Sequence, residues 1–211
     1  MKRLLLVLFL AGGVAAGLYF WCSRVQVEQL VIYHDQDEDG IYDLEDIVLG
    51  ARREVTGKTT YRDGYYEGGY PPEGEGVCTD LIWRAFSNAG YDLKKEIDLD
   101  IQEHPEEYPV EKPDPNIDFR RIVNLRIFFA RHGTVLTNEI IPGDPENLAQ
   151  WQGGDIVITD DPEHIGIVSD KRNASGVPYV IHNPGPCPRE SNTLRFWKVT
   201  AHFRYPKEGE R

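Results

Sequence analysis

The spacing of apolar positions changes along the chain. An unbroken apolar run covers 4–22, behind Lys2 and Arg3. After a polar stretch, Leu44, Ile47, Val48, Ala51 and Val55 recur at the interval of one helix face. Val77, Leu81, Ile82, Ala85, Phe86 and Ala89 make a second such face, with Gly90 as its stop. Residues 92–117 are acidic and contain Pro105, Pro109, Pro113 and Pro115. They are expected as a long flap over a cleft, with no continuous helix. Asp118 is placed to cap a helix over 118–131 whose apolar content includes Phe119, Ile122, Val123, Phe128 and Phe129. Beyond Gly153 the runs become short and β-branched, at 155–159, 165–168, 179–182 and 195–205, which predicts strands. The intervals leave no room for crossover helices, so the sheet should be antiparallel. The fold class is therefore α+β, with helices leading and the sheet following.

Charge and cysteine usage narrow the setting. The 211 residues carry a formal net charge of −12, which argues against nucleic acid as a partner, because that binding rests on clustered Lys and Arg. The three cysteines, Cys22, Cys78 and Cys187, are too few and too odd for a disulfide framework, although a Cys78–Cys187 bridge is open. The run 4–22 approaches the roughly 20 apolar residues that span a bilayer core. Its positive flank places the remainder outside the cytoplasm. Val14, Ala15 and Ala16 suit a cleaved signal, which would give a secreted protein. Leu18, Tyr19, Phe20 and Trp21 suit an uncleaved single-pass anchor, and that reading is preferred. The chain then divides into an anchor or signal at 1–23, a lead-in at 24–57 and a main domain at 58–206.

The lead-in holds Asp35, Asp37, Asp39, Gly40, Asp43 and Asp46. Carboxylates at loop positions 1, 3, 5, 9 and 12 around a glycine at 6 follow the calcium-loop template, with Asp where Glu is usual at the end. A structural calcium is the expected ligand. A solvated acidic turn is the plainer alternative.

Cys78 opens the second helical face, directly after the Gly-rich stretch 68–76. Unpaired amides and the helix dipole favour a thiolate there, and the same amides can receive an oxyanion. Against this, free cysteines are commonly buried and inert. His164 begins a strand in which 164, 166 and 168 share a face, and Gly166 leaves room on it. Folding the hairpin near residue 173 sets His164 opposite His182 or Asn183. A thiol, an imidazole base and a group that orients the imidazole make a nucleophilic site. Tyr66 and Tyr70 in the Tyr- and Gly-rich segment 59–75, and Arg120 and Arg121 in the later helical segment, are candidate substrate contacts, with packing and a salt bridge as the plainer roles.

The order of Cys78 helix, Gly154-Asp155-Ile156-Val157 strand, His164-Ile165-Gly166-Ile167-Val168 strand and Ile181-His182 strand resembles the papain-like NlpC- and CHAP-type cell-wall cysteine peptidases of bacteria. More closely, the motifs around Cys78, Asn116, His164, His182 and His202 resemble bacterial domain-of-unknown-function family 1287. The resemblance implies a papain-like fold and a site of Cys78, His164 and His182 or Asn183, with no catalytic cofactor. It differs from the peptidases at the nucleophile, where Val-Cys-Thr-Asp replaces Asp-Cys-Ser. The expected function is a membrane-anchored hydrolase that cuts amide bonds in cell-wall stem peptides. A calcium-stabilised binding module without turnover and a thiol acyltransferase are the alternatives.

Overall fold

The computed structural model describes residues 25–207. The segment 1–23, expected as an anchor or signal, lies outside them. Among the described residues no helix is long and apolar enough to cross a membrane.

The elements run in chain order as α1 (Asp43–Gly57), β1 (Thr60–Tyr61), β2 (Glu75–Gly76), α2 (Cys78–Asn88), α3 (Leu93–Glu103), α4 (Ile122–His132), β3 (Thr134–Val135), α5 (Pro145–Ala149), β4 (Ile156–Asp160), β5 (Glu163–Arg172), β6 (Pro178–His182), β7 (Arg189–Ser191) and β8 (Val199–Arg204). Single 3-10 turns occur at Pro105–Glu107, Asp118–Arg120 and Leu194–Phe196. β1 and β2 form a short parallel pair. The main sheet has six strands in the order β3-β8-β4-β5-β6-β7, and every pairing is antiparallel. The fold is thus α+β with an open antiparallel sheet.

The acidic stretch after α2 is not the predicted flap. Asp92 caps α3 by accepting the Lys95 amide at 3.0 Å, and Leu93, Ile97 and Ile101 bury one face. Proline forbids helix only near itself, and the first of the four, Pro105, lies beyond the end of α3. The expected 118–131 helix also begins later. The Asp118 carboxylate accepts the Asp114 amide at 2.6 Å, and α4 starts at Ile122 without a side-chain cap.

Two apolar layers hold the sheet. Ile156, Ile158, Ile165, Ile167, Ile181 and Phe203 face α1 to α4 and pack with Ile47, Leu81, Ile82, Phe86, Ile97 and Phe129. Val157, Val168 and Val180 face the other way, onto Leu148, Trp151, Val177 and Leu194. The helix of the lead-in segment shares the first core with the rest of the chain.

Candidate active site

β5 divides its side chains between those two layers. Ile165 and Ile167 join the layer that contains Cys78 and α2. His164, Gly166 and Val168 alternate with them and point to the other face. The β5–β6 register pairs Ile167 with Ile181 and Val168 with Val180, after a bulge that follows the Arg172–Pro178 pair. Continued by one step, this register sets Gly166, rather than His164, across from His182. Gly166 therefore makes room for β6 and not for a helix end: a Cβ there would lie 2.6 Å from Val180 Cγ1 and 3.1 Å from the His182 Cβ.

The two imidazoles still meet, along the diagonal. His164 Nε2 lies 2.8 Å from His182 Nδ1, and His182 Nε2 lies 2.8 Å from Ser191 Oγ. Ser191 Oγ is 3.1 Å from Thr193 Oγ1. Trp197 stands edge-on to both rings, with centroids 5.3 and 4.9 Å away. Burial drives His164 down to about 4. Burial, helped by the charges of His164 and Arg189, drives His182 down to about 3. Both rings are neutral at pH 7. A neutral pair linked in this way leaves His164 Nδ1 as either a lone pair or an N–H, according to the direction of the hydrogen bonds. The direction in which His164 Nε2–H donates to His182, and His182 Nε2–H donates to Ser191, leaves Nδ1 as a base.

Cys78 begins α2, and its thiol is free and buried. Burial pushes the thiol up to about 11, opposed by the nearby backbone of Ile165, Thr79 and Cys78. The sulfur thus lies against the residue that follows His164. Among the described residues, no hydrogen bond joins it to either imidazole. Cys187 is also free and is exposed, so the Cys78–Cys187 bridge left open by the sequence is absent.

A cleft of about 390 Å³ opens beside the thiol, lined by Tyr61, Asp63, Cys78, Thr79, Arg120, Arg121, Ile122 and Glu163 among others. Thr79 is buried there, and its hydroxyl has no hydrogen-bond partner among the described residues. Arg121 is half exposed and only loosely paired, 3.5 Å from Asp118 Oδ1. Arg120 is different. Its Nε and Nη2 donate to Asp80 at 2.7 and 2.9 Å, its Nη1 donates to the Gly64 carbonyl at 2.8 Å, and its guanidinium lies over the Tyr66 ring at 5.1 Å. With every nitrogen of the fork committed, Arg120 holds the loop rather than a substrate. Tyr66 serves the same packing. Tyr70 packs at an angle against Trp83 and edge-on to Phe119, and borders a separate cavity with Tyr91 and Lys94, away from Cys78. Asn183 is not beside His164: it is buried and donates to the Gly76 carbonyl at 3.0 Å, pinning the turn into α2.

Sequence reasoning did not reach Ser191, Thr79 or Asp80. Asp80 could have been found from its place, since an acid two residues into α2 can accept the Val77 amide, which it does at 2.8 Å. Ser191 lies on β7, whose register no sequence pattern announces.

Of the loop carboxylates, Asp35, Asp37 and Asp39 bring one oxygen each within 4.8 Å of one another. Asp43 is turned away. It is bound by His34 Nδ1 at 2.6 Å, by the Gln36 amide at 2.8 Å and by the Tyr91 hydroxyl. Asp46 is not among the three that gather; burial first, then Asp39, Asp37 and Asp35, push its carboxyl up to about 6.

Residues 48–205 match the family described as "Domain of unknown function (DUF1287)". The chain belongs to that family. It is 35% identical over 170 residues to "Uncharacterized protein YijF" of Escherichia coli (strain K12), an alignment that covers 75% of this chain and 80% of the relative. No solved structure matches. The family match begins inside α1 and ends at Tyr205 after β8, so it includes the thiol, both imidazoles and the sheet that carries them.

Proposed function

We propose that this family member is an extracytoplasmic cysteine hydrolase that cleaves amide bonds, with cell-wall stem peptides as substrate and 1–23 as its membrane anchor. The observation that carries the reading is the hydrogen-bonded series Thr193–Ser191–His182–His164, which ends beside Ile165, a residue of the same buried layer as Cys78. The half-buried His164 and the buried His182 are fixed in ring position by each other, by Ser191 and by Trp197. That restraint has a catalytic purpose if the outer ring must present a fixed lone pair. The resemblance to papain-like NlpC- and CHAP-type peptidases supports the same assignment and, with it, a papain-like arrangement of α2 on the sheet.

The chemistry follows from the resting charges. Thiol and imidazole are both neutral, so the site starts without an ion pair. The thiol lies on the helix side of β5 and His164 on the other, so substrate in the cleft must swing the His164 end of the strand until Nδ1 meets the thiol, directly or through one water. The sulfur then attacks the carbonyl carbon while its proton passes to His164. The oxyanion is met by the amides at the open end of α2 and by the Thr79 hydroxyl. Collapse breaks the C–N bond, and His164 returns the proton to the leaving amine. Water attacks the thioester with His164 as base, releasing a carboxylic acid and restoring the thiol. Arg121 at the cleft receives a carboxylate of the peptide.

The test is release of peptide fragments from purified wall material by the full chain. Wild type and Cys187→Ala should release them, and Cys78→Ala and His164→Ala should not. Equal release by wild type and Cys78→Ala would reject the mechanism. Transfer of the acyl group to an added amine, in place of hydrolysis, would identify an acyltransferase.

A further inference from the structure

Asp46 lies on the first turn of α1 and is 3% exposed. Its Oδ1 accepts the Asn88 side-chain amide at 3.2 Å, and the same amide donates to the Asp46 carbonyl at 2.9 Å. Its Oδ2 is buried and has no hydrogen-bond partner among the described residues. A buried carboxylate oxygen without a donor is costly, and proteins rarely leave one so. The charges that bear on it are three acids, Asp39, Asp37 and Asp35, opposed by Arg53 alone. Those three acids are the ones that already gather one oxygen each within 4.8 Å. The unpaired oxygen and the triad are separate observations at one corner of the molecule, since Asp46 is bonded to Asn88 and Asp37 packs on Gly90 two residues on, and each calls for a cation.

We infer that Asp35, Asp37, Asp39 and Asp46 bind one calcium ion, and that Asp43 does not ligate it. All four donors are hard carboxylate oxygens, which select calcium or magnesium over softer metals. The loop geometry favours the larger ion: it supplies many oxygens from a flexible segment, whereas magnesium keeps most of its water. Asp43 is excluded because its Oδ2 is held by the side chains of His34 and Tyr91, outside the loop, whereas Asp35 and Asp39 accept only amides of the loop itself. The ion would fasten three pieces of chain. The loop rests on the turn after α2, where a Cβ on Gly90 would lie 2.9 Å from the Asp37 Cβ. Asp46 ties α1 to Asn88 at the end of α2. Calcium thus locks α1 to the helix that begins with Cys78. This inference does not depend on the hydrolase reading.

The full chain, stripped with chelator, is titrated with calcium chloride by calorimetry, and its thermal unfolding is followed in parallel. One ion per chain is expected, with the midpoint raised by about 5–10 °C once free calcium is a hundredfold above Kd. In the Asp37→Asn/Asp39→Asn variant, whose changes are on exposed side chains, the metal-free midpoint should be retained and the calcium effect lost. Asp46→Asn should also lose the effect, with a metal-free midpoint equal to or above wild type. Absence of any calcium-dependent heat or shift overturns the site. So does a shift that persists in the Asp37/Asp39 variant. A larger shift with magnesium chloride at equal concentration overturns the assignment to calcium.

Discussion

Arg120 and Asp80 are both buried, and each answers the other's charge through two hydrogen bonds. Removing one leaves the other stranded, which costs about 3–5 kcal/mol in buried pairs. Arg120→Ala should therefore lower unfolding free energy by that amount in denaturant titrations, while Arg121→Ala should leave stability within about 0.5 kcal/mol and raise KM instead. Thr79 gives a converse prediction. Its hydroxyl is buried without a partner, so Thr79→Val should leave stability unchanged or slightly higher. If the hydroxyl serves the oxyanion, the same change lowers kcat by about tenfold or more. Unchanged kcat would remove Thr79 from the site. Residue chemistry at this scale was only partly visible in the sequence. Cys78 at a helix start and two histidines near the hairpin's open end could be picked out from spacing alone. Arg120 and Arg121 could not be told apart, because adjacent arginines look alike until Asp80, forty positions earlier, is seen to take one of them.

The β5–β6 ribbon is the element on which the imidazole pair depends. Gly166→Val would drive a side chain into Val180 and the His182 Cβ, displacing β6 from β5. Overpacking of this kind costs about 1–3 kcal/mol, so the variant should fold, with the pH dependence of its kcat altered because His182 no longer holds His164. α3 offers a purely structural comparison. Ile97 is fully buried, and Ile97→Ala should cost about 2–5 kcal/mol with kcat preserved in the folded fraction. A change no larger than that of an exposed loop position would show that α3 is the mobile flap the prolines first suggested. Elements with a steady period, such as α1, α2 and the β5 and β6 cores, could be read directly from apolar spacing. α3 was hidden because only Leu93, Ile97 and Ile101 mark its buried face amid charge, and its cap is a single Asp92. The hairpin register was out of reach because one bulge before Arg172 shifts every pairing, and bulges leave no reliable mark in composition.

Across the whole molecule, the charged groups set how stability follows pH. Unfolded imidazoles titrate near 6.5, whereas folded His164 and His182 stay neutral down to about 4 and about 3. Between those limits the unfolded chain binds more protons, so stability falls as pH drops below about 6.5. Glu190, held down to about 2 by Arg52, Lys171 and Ser169 despite burial, extends the loss below the usual carboxylate range. Asp46 works in the opposite sense without calcium, since its raised carboxyl binds a proton more readily when folded and loses that advantage as pH climbs through about 6. In chelator, the unfolding midpoint should decline from pH 6.5 to 4, and more steeply in Asp46→Asn; a flat midpoint over that range contradicts the buried neutral pair.

The central claim is that the Cys78 sulfur becomes covalently acylated with His164 as its base. Acid-quenched mixtures of the full chain with wall stem peptides, digested and weighed by mass spectrometry, test it most directly. A hydroxylamine-sensitive peptide adduct on the Cys78 fragment is predicted for wild type, and none for His164→Ala. An adduct confined to Cys187, or none at all while fragments are still being released, would contradict the account.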